Sequence, residues 1–291
     1  MKILKTLCLL AFAAVMPAML TSCDDDDEPS SSASSSSSSY SGPYFGLRDC
    51  GKVISRILIR DAFGFEQYSF VYDGSGRVVK VYYDDDEENS NETVSYDYDS
   101  QTGKAVEEYD SDIIISFDAD ANGRFNSLTY EYSRDNDKVA HEFKYNSDGN
   151  VISVVRESYY IGYPNDEIDN CTFVWDGDLL TSVRHSYDDG NGYISEHEWK
   201  ITYSDVDNKY RTPLYGLNTM LSFGLYPNEL SIAPAKLPIK IDVYYGGSYV
   251  REYVCRYTLD DEGFIESEYI EDNADGEEYA DVRYTYADKE F

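Results

Sequence analysis

Residues 70–83 read FVYDGSGRVVKVYY, and the order of side chains within them is that of a β-hairpin. Phe70 and Tyr72 lie two apart, as do Val79, Val81 and Tyr83, and a period of two places each set on one face of a strand. Between them Asp73 is followed three residues later by Gly76. That spacing suits a type I turn closed by a residue with positive φ, a tight hairpin connection. The same grammar returns as FDADANGRFNSLTYEY from residue 117, FKYNSDGNVISVVRESY from 143 and FVWDGDLLTSVRHSY from 173. Weaker echoes place Tyr98-Asp99 ahead of Gly103 and Tyr257 ahead of Gly263. A turn roughly every 20 to 28 residues is one hairpin per repeat, so the chain is expected to be a long antiparallel meander.

Parity assigns the faces. Val94, Tyr96 and Tyr98 oppose Thr93, Ser95, Asp97 and Asp99. Leu128, Tyr130 and Tyr132 oppose Thr129 and Glu131, and His197, Trp199, Ile201 and Tyr203 oppose Glu196, Glu198 and Lys200. One face is aromatic and aliphatic, the other wet. Most of the 30 tyrosines fall on the apolar parity, where a ring adds buried area and its hydroxyl can still find a partner.

About 16 such segments fit between Val53 and Tyr286, and a sheet that wide must curl, split or close, because open edges invite mispairing. The expected fold is all-β, a meander of about 16 strands closed or flattened into a soluble porin-like barrel with its apolar face inward. A circular barrel of that size has a lumen its own side chains cannot fill. The one break in the alternation, Thr212 to Pro238, is the candidate filler. Thr212 suits a cap, Pro213 a first turn, Leu214, Leu217 and Leu221 share a helical face, and Gly224 can stop it. A short helix is predicted over 213–223, then an irregular loop through Pro227, Pro234 and Pro238, plugging or lidding one end.

The N-terminus has a different character. Lys2 and Lys5 precede an apolar core from Leu7 to Leu20, the length of a secretory signal and too short for a membrane span. Leu20-Thr21-Ser22-Cys23 resembles a bacterial lipobox, which makes Cys23 the expected lipidated residue and residues 1–22 the signal peptide. Asp24 to Asp27, Glu28 and the serine run Ser30 to Ser39 cannot bury apolar surface, so residues 23–47 are expected to be a disordered tether and 48–291 the barrel domain. An acidic run directly after such a cysteine resembles the export signal of Bacteroidetes surface lipoproteins. It implies attachment to the outer membrane at the cell surface, with the periplasmic leaflet as the alternative.

Taken together, the lipobox, the acidic tether, the YDGSGRVVKVYY hairpins, ITYSDVDNK at 201–209 and LPIKIDVYY at 237–245 resemble an uncharacterised Bacteroidetes lipoprotein domain family with a porin-like β-fold. The hairpins are also similar to YD repeats, but Asn150 and Asp178 stand where an arginine follows the turn glycine elsewhere, and the array is short. The resemblance implies no activity and no catalytic residue.

The composition narrows the function. Acidic residues outnumber basic ones 56 to 24, a net charge of -32 that becomes -34 without Lys2 and Lys5. Phosphate contacts need clustered Lys and Arg, so nucleic acid is not an expected partner. Cys50, Cys171 and Cys255 permit at most one disulfide, and none has CxxC spacing. No GxSxG elbow and no Gly-rich loop leading into a helix is present, so neither catalytic residue nor cofactor is expected.

No metal site is expected either, and two constellations come nearest to one. Asp118, Asp120 and Asn122 match the opening of a calcium loop, but the twelfth position is Thr129 and a strand follows. His185 and His197 fall opposite one another across a hairpin turning near Gly190, with no carboxylate evident on that face as a third ligand. Asp84 to Glu88 reads as a solvated loop. The expected role is non-enzymatic binding of a glycan or small molecule, the alternative is a structural or interaction component of an outer-membrane assembly, and a polysaccharide-acting enzyme ranks third.

Overall fold

The computed structural model describes residues 45–289 apart from 46, 48–49, 62–63, 86–89, 108–112, 134–135, 162–165, 216, 218–224 and 275–277. The signal, Cys23, the acidic and serine runs and Asp86 to Glu88 lie outside the described residues. Sixteen strands follow one another along the chain: β1 (Lys52–Asp61), β2 (Gly64–Tyr72), β3 (Val78–Asp85), β4 (Ser90–Asp97), β5 (Thr102–Glu107), β6 (Ile113–Ala119), β7 (Phe125–Tyr132) and β8 (Asp137–Tyr145). The second half comprises β9 (Val151–Tyr159), β10 (Glu167–Asp176), β11 (Leu179–Asp188), β12 (Ile194–Asp207), β13 (Lys236–Tyr245), β14 (Ser248–Leu259), β15 (Ile265–Asp272) and β16 (Glu278–Asp288). Each pairs antiparallel with its neighbours in sequence, and β1 pairs with β16, Ile57 opposite Tyr284 and Ile59 opposite Val282, so the barrel closes. Closure leaves no edge strand.

The alternation read from the sequence is the alternation of burial. β6 runs buried, exposed, buried, exposed, buried from Ile113 to Phe117, and β8 buries Val139, His141 and Phe143. The inward residues form one continuous core that includes Ile54, Val81, Val94, Phe125, Leu128 and Val154. Outward positions carry cross-strand ion pairs instead, such as Arg184–Glu198 at 2.9 Å, Lys240–Glu252 at 3.3 Å and Arg256–Glu271 at 2.7 Å.

Because every connection is a meander, the repeated motif falls at one end of the barrel. There Asp73 accepts the backbone N–H groups of Ser75 and Arg77, each at 2.9 Å, and Gly76 takes φ +79°. Asp120, Asn146 and Asp260 hold their turns in the same way, with Gly123, Gly149 and Gly263 in the left-handed region. Where an aromatic residue ends the strand at this end, it stitches its hairpin to the preceding one; before Asp120 and Asp260 stand Ala119 and Leu259 instead. Tyr98 donates to the Val78 carbonyl and Tyr145 to the Phe125 carbonyl, each partner 20 residues back, and Tyr72, Trp175, Tyr203 and Tyr286 repeat the bond. Arg77 and Arg124 complete the unit. Each pairs with its own turn aspartate and lies over the aromatic ring of the next repeat, Tyr98 at 4.4 Å and Tyr145 at 4.9 Å. Each stitch spans 18 to 24 residues from hydroxyl or indole to carbonyl, about one repeat of the sequence.

Several expectations need correction. After Tyr98 the left-handed position is taken by Gln101, φ +55°, while Gly103 sits inside β5. A Cβ there would stand 2.5 Å from the Ser95 carbonyl oxygen, so the glycine serves close strand packing rather than a turn. Phe45 and Leu47, assigned to the tether, are buried in the core, with the Phe45 ring 4.9 Å from Phe70. Pro238 belongs to β13 and not to a loop; it lies opposite Tyr203 where the register slips, a position that tolerates a missing N–H. Of the predicted helix, Tyr215 and Leu217 are helical, and 216 and 218–224 lie outside the described residues.

The filler itself is where the lumen argument put it. Between β12 and β13 the chain leaves the turn end through a neck in which Asn208 N–H donates to the Ala235 carbonyl and Leu214 N–H to that of Ile232. It then buries Leu214, Tyr215, Leu217, Tyr226, Leu230 and Ile232 in the barrel. Tyr215 packs 5.8 Å from Tyr68 on β2, and its N–H donates to the Tyr284 hydroxyl on β16. Each fully buried Leu or Ile adds about 1.5–3 kcal/mol.

Two substitutions test this construction. Tyr145→Phe is expected to lower unfolding free energy by about 1 kcal/mol in urea titration, through loss of one stitch. Gly103→Ala is expected to cost about 1–3 kcal/mol, because the new methyl group must displace backbone.

Candidate binding site in the barrel lumen

The inward wall is not uniform. On β4 and β7 the inward side chains Val94, Tyr96, Leu128 and Tyr130 are buried, Tyr96 and Tyr130 bonding Glu229 of the plug, whereas on β11, β12 and β13 His185, Tyr187, His197, Trp199, Ile201 and Tyr245 face inward and are only half-buried. They lie toward the end opposite the motif turns. Register brings them together: His185 is directly opposite His197, Val183 opposite Trp199, and His197 opposite Tyr245. The rings make a continuous aromatic strip. His185 and His197 stack 6.0 Å apart at 12°, His197 lies 5.7 Å from Trp199, and Tyr245 lies 4.9 Å from His197. Tyr193 extends it, its hydroxyl 3.4 Å from that of Tyr245.

Beneath one edge of the strip sits a buried ion pair. Arg156 on β9 donates from Nη1 to Asp169 on β10 at 2.8 Å, and the other Asp169 oxygen meets His185 Nε2 at 2.8 Å. Burial alone would raise the Asp169 carboxyl, but the bonds from His185 and Arg156 outweigh it and hold the group below the usual aspartate range. Burial, and next the neighbouring His185, hold His197 below the ordinary imidazole range, so that it is neutral near pH 7. Across the mouth, Arg251 on β14 pairs with Asp272 on β15 at 2.9 Å.

The histidine pair therefore exists as expected from parity, and a carboxylate does reach it. Asp169 comes from the neighbouring strand, where alternation with Cys171, Phe173 and Trp175 puts it on the inner face. Both its oxygens are already engaged, and no cluster of three or more metal-ligating side chains occurs among the described residues. Asp118 bonds Asn126 Nδ2 at 2.9 Å, and Asp120 is committed to its turn and to Arg124; Asn122 contributes its backbone N–H to that same turn. Cys50, Cys171 and Cys255 are free thiols, and burial pushes the Cys171 and Cys255 thiols up, away from reactivity.

Three of the residues that sequence reasoning missed share one signal, a charge on the apolar parity of its strand. Arg156 alternates with Val154 and Ser158, Glu92 with Val94, and Glu268 with Ile270. Glu229 had no such signal, because it sits in the irregular plug. Its carboxylate accepts the Tyr96 hydroxyl at 2.7 Å, the Tyr130 hydroxyl, and the Tyr226 N–H at 2.8 Å, while the Tyr226 hydroxyl donates to Glu92. Burial outweighs these bonds and pushes the Glu229 carboxyl up to about 7.

The Arg156–Asp169 pair makes a direct prediction. Asp169→Asn leaves a buried guanidinium short of its counter-charge and is expected to cost about 3 kcal/mol at pH 7. The group's pKa is lower folded than unfolded, so its contribution is present above the ordinary value of 3.8 and is lost as pH falls below it. The urea midpoint of the parent should fall more steeply than that of the variant on acidification through this range.

No protein-family model matches the chain, and no curated protein matches it. Among solved structures it is similar to a porin-like protein from Bacteroides uniformis, with a TM-score of 0.57 and 14% identity over 80% of this chain and 98% of that one. It is likewise similar to a porin-like protein from Bacteroides vulgatus, with a TM-score of 0.54 and 12% identity over 80% and 98% of the two chains. At such identities the likeness is one of fold, and the fold that the closed antiparallel barrel shares with these proteins is porin-like.

Proposed function

We propose that the chain is a lipid-anchored barrel of the cell envelope that binds a glycan or small molecule at the half-buried aromatic strip, without catalysing a reaction on it. The observation that carries this is the contrast between the two walls of the lumen. Side chains on β4 and β7 are sealed, while Trp199, His197 and Tyr245 keep ring area within a concave and largely apolar setting of the kind ligands occupy. Flat aromatic faces beside fixed donors and acceptors suit a sugar ring, which has an apolar face and a polar rim.

The placement of the ends supports the anchor. β1 starts at the motif-turn end, where Lys289 N–H donates to the Gly51 carbonyl, so a tether from Cys23 would join the end of the barrel remote from the strip. The mouth would then face away from the membrane. The outward ion pairs support a barrel standing in water, since a lipid-facing wall requires an apolar belt. Attachment to the outer membrane at the cell surface is the favoured location, and the periplasmic leaflet the alternative.

A second reading, an interaction component of an outer-membrane assembly, draws on the rim. Tyr159, Ile161, Ile194, Tyr249 and Val250 are exposed and cluster on hairpins at the mouth end.

The test is a glycan array followed by calorimetry. Trp199→Ala is expected to weaken binding of any captured glycan at least about 10-fold, measured where circular dichroism shows the variant folded. Affinity unchanged in the variant would move the site elsewhere, and capture of no glycan would favour the partner reading. Cys23→Ala should release the protein from membranes into the soluble fraction; retention there would remove the anchor.

A further inference from the structure

The plug and the wall it rests on are joined through carboxylates and tyrosine hydroxyls. Glu229 is fully buried, and its bonds reach two strands at once, Tyr96 on β4 and Tyr130 on β7, besides the N–H of Tyr226 in its own segment. No described lysine or arginine pairs with it. The titratable groups around it are acids, phenols and one imidazole. β4 contributes Glu92, Tyr96 and Tyr98, and the plug Tyr226, while β7 contributes Tyr130, whose ring is 6.1 Å from His141 of β8. On the far side the backbone of Tyr215 meets Tyr284, whose hydroxyl donates to the buried Glu268 at 3.0 Å.

We propose that the plug, whose described residues are 208–215, 217 and 225–235, is pH-released, held in the lumen while Glu229 is protonated and loosened when it ionises. The reason is electrostatic. A carboxyl buried beside Glu92, without a cation, is tolerated neutral, and a negative charge there costs desolvation that the Tyr96, Tyr130 and Tyr226 donors only partly offset. Swinging the plug outward returns Glu229 to water, where the charge is stable. The direction follows from linkage: a carboxyl whose pKa is raised in the seated state stabilises that state fully below its ordinary value near 4.5, and the contribution fades as pH rises through about 7. Leu214, Leu217, Leu230 and Ile232 still favour insertion, so ionisation raises the frequency of opening rather than emptying the barrel.

Hydrogen–deuterium exchange on the mature chain, corrected for the intrinsic pH dependence of amide exchange, measures this. Between pH 5.5 and 8.5 the opening equilibrium of the plug amides, Leu214 and Glu229 among them, is expected to rise about 30-fold relative to those of β10 and β11. In Glu229→Gln the rise should shrink to less than about threefold. Parent plug amides that keep the same ratio to the β10 and β11 amides across this range would overturn the proposal, whether or not the variant folds. A rise that persists undiminished in a folded Glu229→Gln would overturn it as well, by assigning the switch to another group.

Discussion

A closed sheet of sixteen strands has a circumference too large for its own inward side chains to fill, and the structure is organised around that constraint. Smaller barrels pack their interiors from the wall alone. Here the chain returns part of itself, and Leu214, Leu230 and Ile232 occupy volume that Val94, Leu128 and Ile241 cannot reach across. Phe45 and Leu47 add to the same packing from the N-terminal side. The barrel and its filler are thus one core, and neither buries its apolar surface without the other.

Filling a lumen with loop rather than with strand brings polar backbone and side chains into the interior, and these must be satisfied there. Tyrosine is the residue that meets this need. Its ring fills space as phenylalanine would, while its hydroxyl reaches a carbonyl in the stitches of the turn end or a carboxylate beside the plug. The abundance of tyrosine on the inner parity follows from a core that has to be both apolar and hydrogen-bonded. Glu92, Glu229 and Glu268 are the matching acceptors.

The two ends of the barrel are consequently unlike. Repeated turns, stitches and stacked arginines make the motif end rigid, and both the chain start and the neck of the plug lie there. At the other end the inner wall keeps aromatic area half-open on β11 to β13, backed by ion pairs that neutralise one another on adjacent strands.

Strand number, hairpin polarity and the dry face were legible in the sequence, since a period of two and a turn signature are local properties that each segment carries by itself. The pairing of His185 with His197 was legible for the same reason, one hairpin being enough to bring them together. Gln101 in place of glycine was not, because a polar residue can occupy the left-handed region where the surrounding turn holds it. Asp169 beneath His185 follows from one hairpin as well, since Cys171 is opposite His185 and Asp169 shares its face, whereas Glu229 between Tyr96 and Tyr130 and Tyr215 against Tyr284 belong to tertiary structure alone. They join residues 133, 99 and 69 positions apart, and only closure of the sheet and insertion of the plug bring such groups within hydrogen-bond reach.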